Sequence, residues 1–308
     1  MKTIKIFAYA LAVTSGVVLT SCGSDDNGGG GGLPPIGGFD SADEVGEADL
    51  MAYWPLNGDS KESVSGVSAN ANPNATWAEG KKGQAASFNG GYLSYPVIPS
   101  LTQMTGSFTV SLWAKVANNG TNATMFFSMT RPMNATQNEW NGPINVMAET
   151  GKGNRPITAD TLQVKGVFAF SKPDGAIFGG DAVNAEKLNE QDILDGGQVY
   201  VNKTANQWMQ VVYVYDHTNS SNRLYVNGTK ISNPQWELRN KENNNAPIPF
   251  KMFPSSHPMI GGFGTLLTGN NDTWQQAMKG QVDEIRLWKR VLTQTEIGSL
   301  YELENAGR

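Results

Sequence analysis

A chain of 308 residues is long enough for one large domain or two small ones, and either would bury a substantial core. Its 23 Lys and Arg against 28 Asp and Glu give a formal charge of -5 with no basic stripe for nucleic acid and no polybasic run to hold a membrane surface. One cysteine excludes an intrachain disulfide, and two histidines exclude a His-rich metal centre.

Lys2 and Lys5 precede an apolar run over residues 6–19, too short to span a bilayer and of the right length for the hydrophobic part of a secretory leader. Leu19-Thr20-Ser21-Cys22 then resembles a bacterial lipoprotein cleavage box, in which small residues fit the peptidase and the cysteine thiol takes the lipid. That resemblance implies a signal peptide over residues 1–21 and a lipid anchor on Cys22, which joins the chain to a membrane; two or three acyl chains at ~0.8 kcal/mol per buried CH₂ hold firmly. Removing the leader takes Lys2 and Lys5 with it and makes the chain more acidic. Residues 22–48, with five consecutive glycines, read as a flexible tether. Asp25 and Asp26, close behind the cysteine, are similar to the export signal of Bacteroidetes lipoproteins, which implies an outer-membrane protein facing the cell exterior.

The folded domain is expected over residues 49–308. Residues 50–56 form an apolar strand that turns out through Asn57-Gly58. Residues 84–88 and 91–95 flank Asn89-Gly90, which predicts a tight hairpin. Residues 107–116 alternate Phe108, Val110, Leu112, Ala114 and Val116 with polar positions and one Trp, Trp113, as a half-buried strand should. Further strands are expected over residues 125–129, 162–170 and 207–215, with a hairpin over 222–232 turning at Asn227-Gly228, then residues 259–263 and a last strand over 282–287. No helical period precedes Thr293, where Thr293-Gln294-Thr295-Glu296 has the spacing of a capping box and predicts one short C-terminal helix. Strand alternation puts Asp283 on the same side as Ile285 and Leu287, so its carboxylate must meet backbone N–H groups, a cation side chain or a metal ion.

The segments AYWPLNGD, GKKGQAASFNGGYLSY, GSFTVSLWAKV, NQWMQVVYVYD, NRLYVNGTKI, MIGGF and GQVDEIRLWKRVLTQTEIGSLY follow in the order seen in bacterial laminin-G-like domains of the concanavalin A-like lectin and glucanase superfamily. The resemblance runs from about residue 52 to 301 and implies an all-β, two-sheet antiparallel jelly roll. It also implies a structural calcium held by an acid on the last strand, the position of Asp283, and otherwise no cofactor. The chain departs from the family in having Asn57 after the first strand, and residues 133–203 and 233–258 read as insertions.

A retaining glycosidase on this fold needs two carboxylates about 5 Å apart, aimed from one strand. No such motif occurs here; Asp283 and Glu284 are neighbours, which alternation places on opposite faces. His217 and His257 stand in turn-like contexts without a nucleophile motif, and the glycine run lacks the strand, helix and Lys of a phosphate loop. No catalytic residue is therefore assigned. Sugars are bound by aromatic faces beside polar side chains, and Trp140, Trp236 and Trp274 lie in Asn- and Gln-rich loops that offer both. The expected function is a non-catalytic carbohydrate-binding lipoprotein that retains polysaccharide or host glycan at the cell surface for an outer-membrane uptake complex. The alternatives are an adhesive surface protein with a protein partner, and a glycoside hydrolase of laminarinase-like fold.

Overall fold

Alternating apolar and polar residues, interrupted by turn residues, produce strands along almost the whole of the computed structural model, which describes residues 33–131, 139–269 and 272–308. The leader, Cys22 and the glycine run lie outside the described residues. In chain order the strands are β1 (Leu50–Trp54), β2 (Ala75–Glu79), β3 (Gln84–Gly91), β4 (Leu93–Ser94), β5 (Thr105–Gly106), β6 (Phe108–Val116), β7 (Ala123–Met129), β8 (Ile144–Ala148) and β9 (Val164–Ser171). They continue with β10 (Ile177–Val183), β11 (Met209–Asp216), β12 (Ser221–Val226), β13 (Thr229–Lys230), β14 (Phe250–Lys251), β15 (Pro258–Ile260), β16 (Gln275–Gln276) and β17 (Met278–Trp288). The helices are α1 (Pro99–Thr102), α2 (Glu190–Leu194) and the C-terminal α3 (Gln294–Asn305).

Two large sheets result. The first runs β13-β12-β11-β6-β17-β3-β2, with β1 paired to β17; the second runs β10-β9-β8-β7-β15-β4. Pairing within them is antiparallel apart from β16, which joins β7 in parallel. This is the expected all-β sandwich with one short C-terminal helix. Phe108, Val110, Leu112, Ala114 and Val116 of β6 all point into the inter-sheet core, as their alternation predicts. There they join Phe168 and Phe170 of β9 and Tyr213 and Tyr215 of β11; the Phe168 and Tyr215 rings stand 4.8 Å apart. Each such ring or branched chain, once buried, contributes about 1.5–3 kcal/mol.

Local turn chemistry is also as expected at Asn227-Gly228, where φ values of 50° and 73° close the β12–β13 hairpin. Asn89-Gly90 does something else. β3 continues through it, with Asn89 still paired to Lys279, and the chain then crosses to the second sheet, where β4 pairs with β15. The hairpin in this region is β2–β3, turned by residues 80–83. A positive-φ glycine supplies a bend in either case, and the pairing available to the flanking residues decides which.

The span 133–203 is part of the sandwich rather than an insertion in it, since it carries β8, β9 and β10 of the second sheet. The packed chain also starts earlier than residue 49. From Pro35 it belongs to the same unit as the sandwich, and Ala42 and Val45 are buried against Trp288, Leu292, Ile297, Leu300 and Leu303.

Helix α3 begins with the predicted box: Glu296 N–H donates to Thr293 Oγ1 at 3.2 Å, and Thr293 N–H donates to Glu296 Oε2 at 2.8 Å. Its apolar side covers Val212 and Val214, which point outward from the first sheet. The outer face of that sheet is thus covered over β11, β12 and the end of β17. On the outer face of the second sheet a smaller cluster, Met125, Met147, Val167 and Phe263, leaves the β9–β10 side open.

Candidate functional site

Asp283 does not share a face with Ile285 and Leu287. The pairing of β17 with β6 shifts register between Asp283 and Arg286, and Glu284 takes φ 50°, so Val282 and Ile285 both enter the core although three residues apart. Asp283 pairs with Trp113 and so lies on the outer face, where it is fully buried. Its Oδ2 accepts from the N–H groups of Lys81 and Lys82 at 2.8 and 3.0 Å, and its Oδ1 from that of Glu284 at 2.9 Å. A Cβ at residue 80 would sit 2.6 Å from Oδ2, so the turn needs Gly80 there. Burial pushes Asp283 up to about 7 against the pull of the donors. The groups that meet this carboxylate are thus three N–H donors, whereas calcium takes oxygen ligands.

The alternation break also brings Glu284 to the outer side. It accepts from Tyr53 Oη at 2.8 Å and pairs with Arg286 at 2.9 Å. Arg286, 1% exposed, further pairs with Glu304 of α3 and with Asp43, and lies over the Tyr53 ring at 4.1 Å. Glu304 Oε2 takes Trp113 Nε1–H at 2.6 Å and Gln210 Nε2–H at 2.9 Å. This network fastens helix to sheet, with Arg286, Glu284 and Glu304 buried at its centre.

The open region lies on the second sheet. Strand β9 sends Val164, Phe168 and Phe170 inward, and Lys165 and Val167 outward. Lys165 lies with Gln163, Asp181 and Val183 at the base of a cleft of about 710 Å³, walled by residues 152, 153, 155, 185–187, 236 and 239. Lys165 Nζ meets Glu149 at 2.8 Å and Asp181 at 3.6 Å, and Arg239 also pairs with Asp181. Arg155 pairs with Glu186 through one nitrogen and one oxygen; Arg155 Nη1 and Glu186 Oε1 are buried without partners. Lys152 Nζ donates to Gln163 Oε1 at 2.6 Å, and neither Lys152 nor Lys187 has an ion pair among the described residues.

A second hollow shares Lys152, Gln163 and Lys165 with this cleft and continues it to Trp274. Trp236 lines the opposite end, on a turn tied to the sheet by Asn233 N–H donating to Val183 O at 3.1 Å. Trp274 is anchored where Ala123 N–H donates to its carbonyl at 2.8 Å. Trp140 lines neither hollow and stands edge-on to Trp274, centroids 5.2 Å apart, with Phe263 behind both. The three loop Trp residues, all half-buried, thus occupy one face: two at the ends of a polar trough and one as a buttress. Trp54, Trp113, Trp208 and Trp288 all read from the sequence as strand residues that pack; Trp54, Trp113 and Trp288 are fully buried, whereas Trp208 stands just before β11 and is half-buried. The charged trough floor was not singled out from the sequence, although Lys165 inside an otherwise apolar strand was the available signal.

Glu149 and Asp181 converge on one ammonium group and do not face each other across a gap. His217 Nδ1 lies 2.8 Å from Ser107 Oγ, and His257 Nδ1 lies 3.0 Å from Thr130 Oγ1. No carboxylate hydrogen bond to either imidazole is found among the described residues, so neither pair has the third group of a triad.

No family model and no curated protein matches the chain. Solved structures similar to it include domain 4 of an extracellular GH43 arabinanase from Geobacillus stearothermophilus in complex with arabinotriose, at 17% identity and TM-score 0.48, covering 82% of this chain and 98% of that one. The binding domain of botulinum neurotoxin serotype D is similar at 11% identity and TM-score 0.47, covering 82% of this chain and 51% of that one. A Trypanosoma rangeli sialidase follows at 13% and 0.47, covering 82% of this chain and 32% of that one. The chain spans about half of the toxin chain and a third of the sialidase chain, and these neighbours include enzymes as well as non-enzymatic binding domains.

Proposed function

We propose that the sandwich is a non-catalytic glycan-binding module, carried on a lipid at Cys22 at the outer membrane, where it retains polysaccharide or host glycan for uptake. The observation that carries this reading is the trough on the second sheet, with Trp274 at one end, Trp236 at the other and long polar side chains between. An indole face covers the C–H surface of a sugar ring, and the Lys152 and Lys187 side chains that line the cleft offer donors to its hydroxyls. The carboxylates of the trough are drawn into ion pairs in an arrangement suited to holding ligand rather than cleaving it.

The test is a broad glycan array with the full-length protein in detergent, followed by titration of the hits. Trp236→Ala and Trp274→Ala are expected to weaken binding about tenfold or more each, and Trp140→Ala less, through loss of support for Trp274. Silence across the array, with capture of a surface protein instead, overturns the proposal in favour of an adhesive role.

A further inference from the structure

The trough is electropositive in an acidic protein. Five cations line it, Lys152, Arg155, Lys165, Lys187 and Arg239, in a chain whose formal charge is -5. Only three carboxylates, Glu149, Asp181 and Glu186, accompany them. Those three are consumed internally: Glu149 by Lys165, Asp181 by Arg239 and Lys165, and Glu186 by Arg155. Lys152 and Lys187, on the wall of the cleft, are left without a direct ion pair among the described residues. A concave surface of one sign concentrates ligands of the other.

We infer that the glycan held in this trough is anionic, a uronate- or sulfate-bearing polysaccharide whose acidic groups meet Lys152 and Lys187 while its ring faces lie on Trp236 and Trp274. The inference rests on the glycan-binding reading of the same site. The surroundings agree with it: partial burial lowers the Lys152 pKa first of all, Glu149 opposes this, and the neighbouring Lys165, Arg155 and Lys187 lower it further, so an incoming anion would meet an ammonium group beside three other cations. Neutral glycans would bring no charge to them. Gln163, which accepts from Lys152 Nζ and donates through Nε2 to Asn184 O at 2.9 Å, holds the ammonium toward the trough.

The experiment compares polygalacturonate and chondroitin sulfate with arabinan and a neutral β-glucan, using full-length wild type and the variants Lys152→Gln, Lys187→Gln and Lys152→Arg. Neither lysine holds an ion pair among the described residues, so the Gln variants remove charge without orphaning a paired carboxylate there. The inference expects the acidic polymers to be preferred, binding to weaken with added salt, each Gln variant to lose about tenfold, and Lys152→Arg to keep most of the affinity. Equal binding of neutral and acidic polymers, unchanged by Lys152→Gln and Lys187→Gln, overturns the anionic inference and leaves the glycan-binding function standing. Absence of binding to all four polymers and to the wider array overturns both.

Discussion

Asp283 keeps a carboxylate out of water by turning three backbone N–H groups toward it. An amide at that position can accept from only part of this set and presents an N–H₂ to the rest. Asp283→Asn is therefore expected to lower stability by about 1–3 kcal/mol in denaturant melts. EDTA is expected to leave the wild-type melt unchanged, because N–H donors rather than oxygen ligands surround the carboxylate; a fall in melting temperature with chelator would show this account to be wrong. The sign of the pH effect follows from a pKa raised from 3.8 to about 7: the folded state holds the proton more tightly, and stability falls as pH rises from about 4 to 7. The deficit of Asp283→Asn should then narrow across that window. Glu296 behaves oppositely. Hydrogen bonding to Arg290 pulls it down to about 2 from 4.5, so its contribution is present above pH 4.5 and lost as pH falls through about 2. Glu296→Gln keeps the capping geometry and loses the ion pair, and should cost about 1 kcal/mol at pH 7 after solvent screening, a difference that closes toward pH 2.

At the scale of elements, β17 is fastened from both sides. Its inner residues fill the core, while Arg286 and Trp288 on the outer side receive α3 and the segment before β1. That segment makes directed contacts: Asp43 with Arg286 at 2.9 Å, Val45 O accepting from Trp288 Nε1–H at 3.1 Å, and Asp49 with Arg290 at 2.9 Å. A chain beginning at residue 49 should consequently be less stable than one beginning at residue 35. The loss of buried Ala42 and Val45 and of the bond to Trp288 is worth about 2–4 kcal/mol, readable as a shift in urea midpoint. Equal midpoints would mean that the segment rests on the sheet without stabilising it.

Across the whole molecule the two outer faces have different roles. One is covered in part by α3, fastened through an ionic network centred on Arg286; the other presents the trough between Trp236 and Trp274. Because the three loop Trp residues stand outside the inter-sheet core, their replacement should change binding without abolishing cooperative unfolding, which separates a lost ligand contact from a lost fold.

The sequence by itself determined what short-range periodicity and turn chemistry govern: the inward residues of β6, the Asn227-Gly228 hairpin, the Thr293 capping box and the all-β class. It also marked Trp140, Trp236 and Trp274 as loop aromatics. Tertiary structure alone decided the rest. A bulge moved Asp283 to the outer face, since alternation predicts a side only while the ladder stays in register. Pairing partners turned Asn89-Gly90 from a hairpin into a crossing between sheets. Likewise the trough joins residues from 121 to 274, and a charge pattern assembled from such distant segments has no local sequence period; only the stacking of strands and the loops between them brings it to one face.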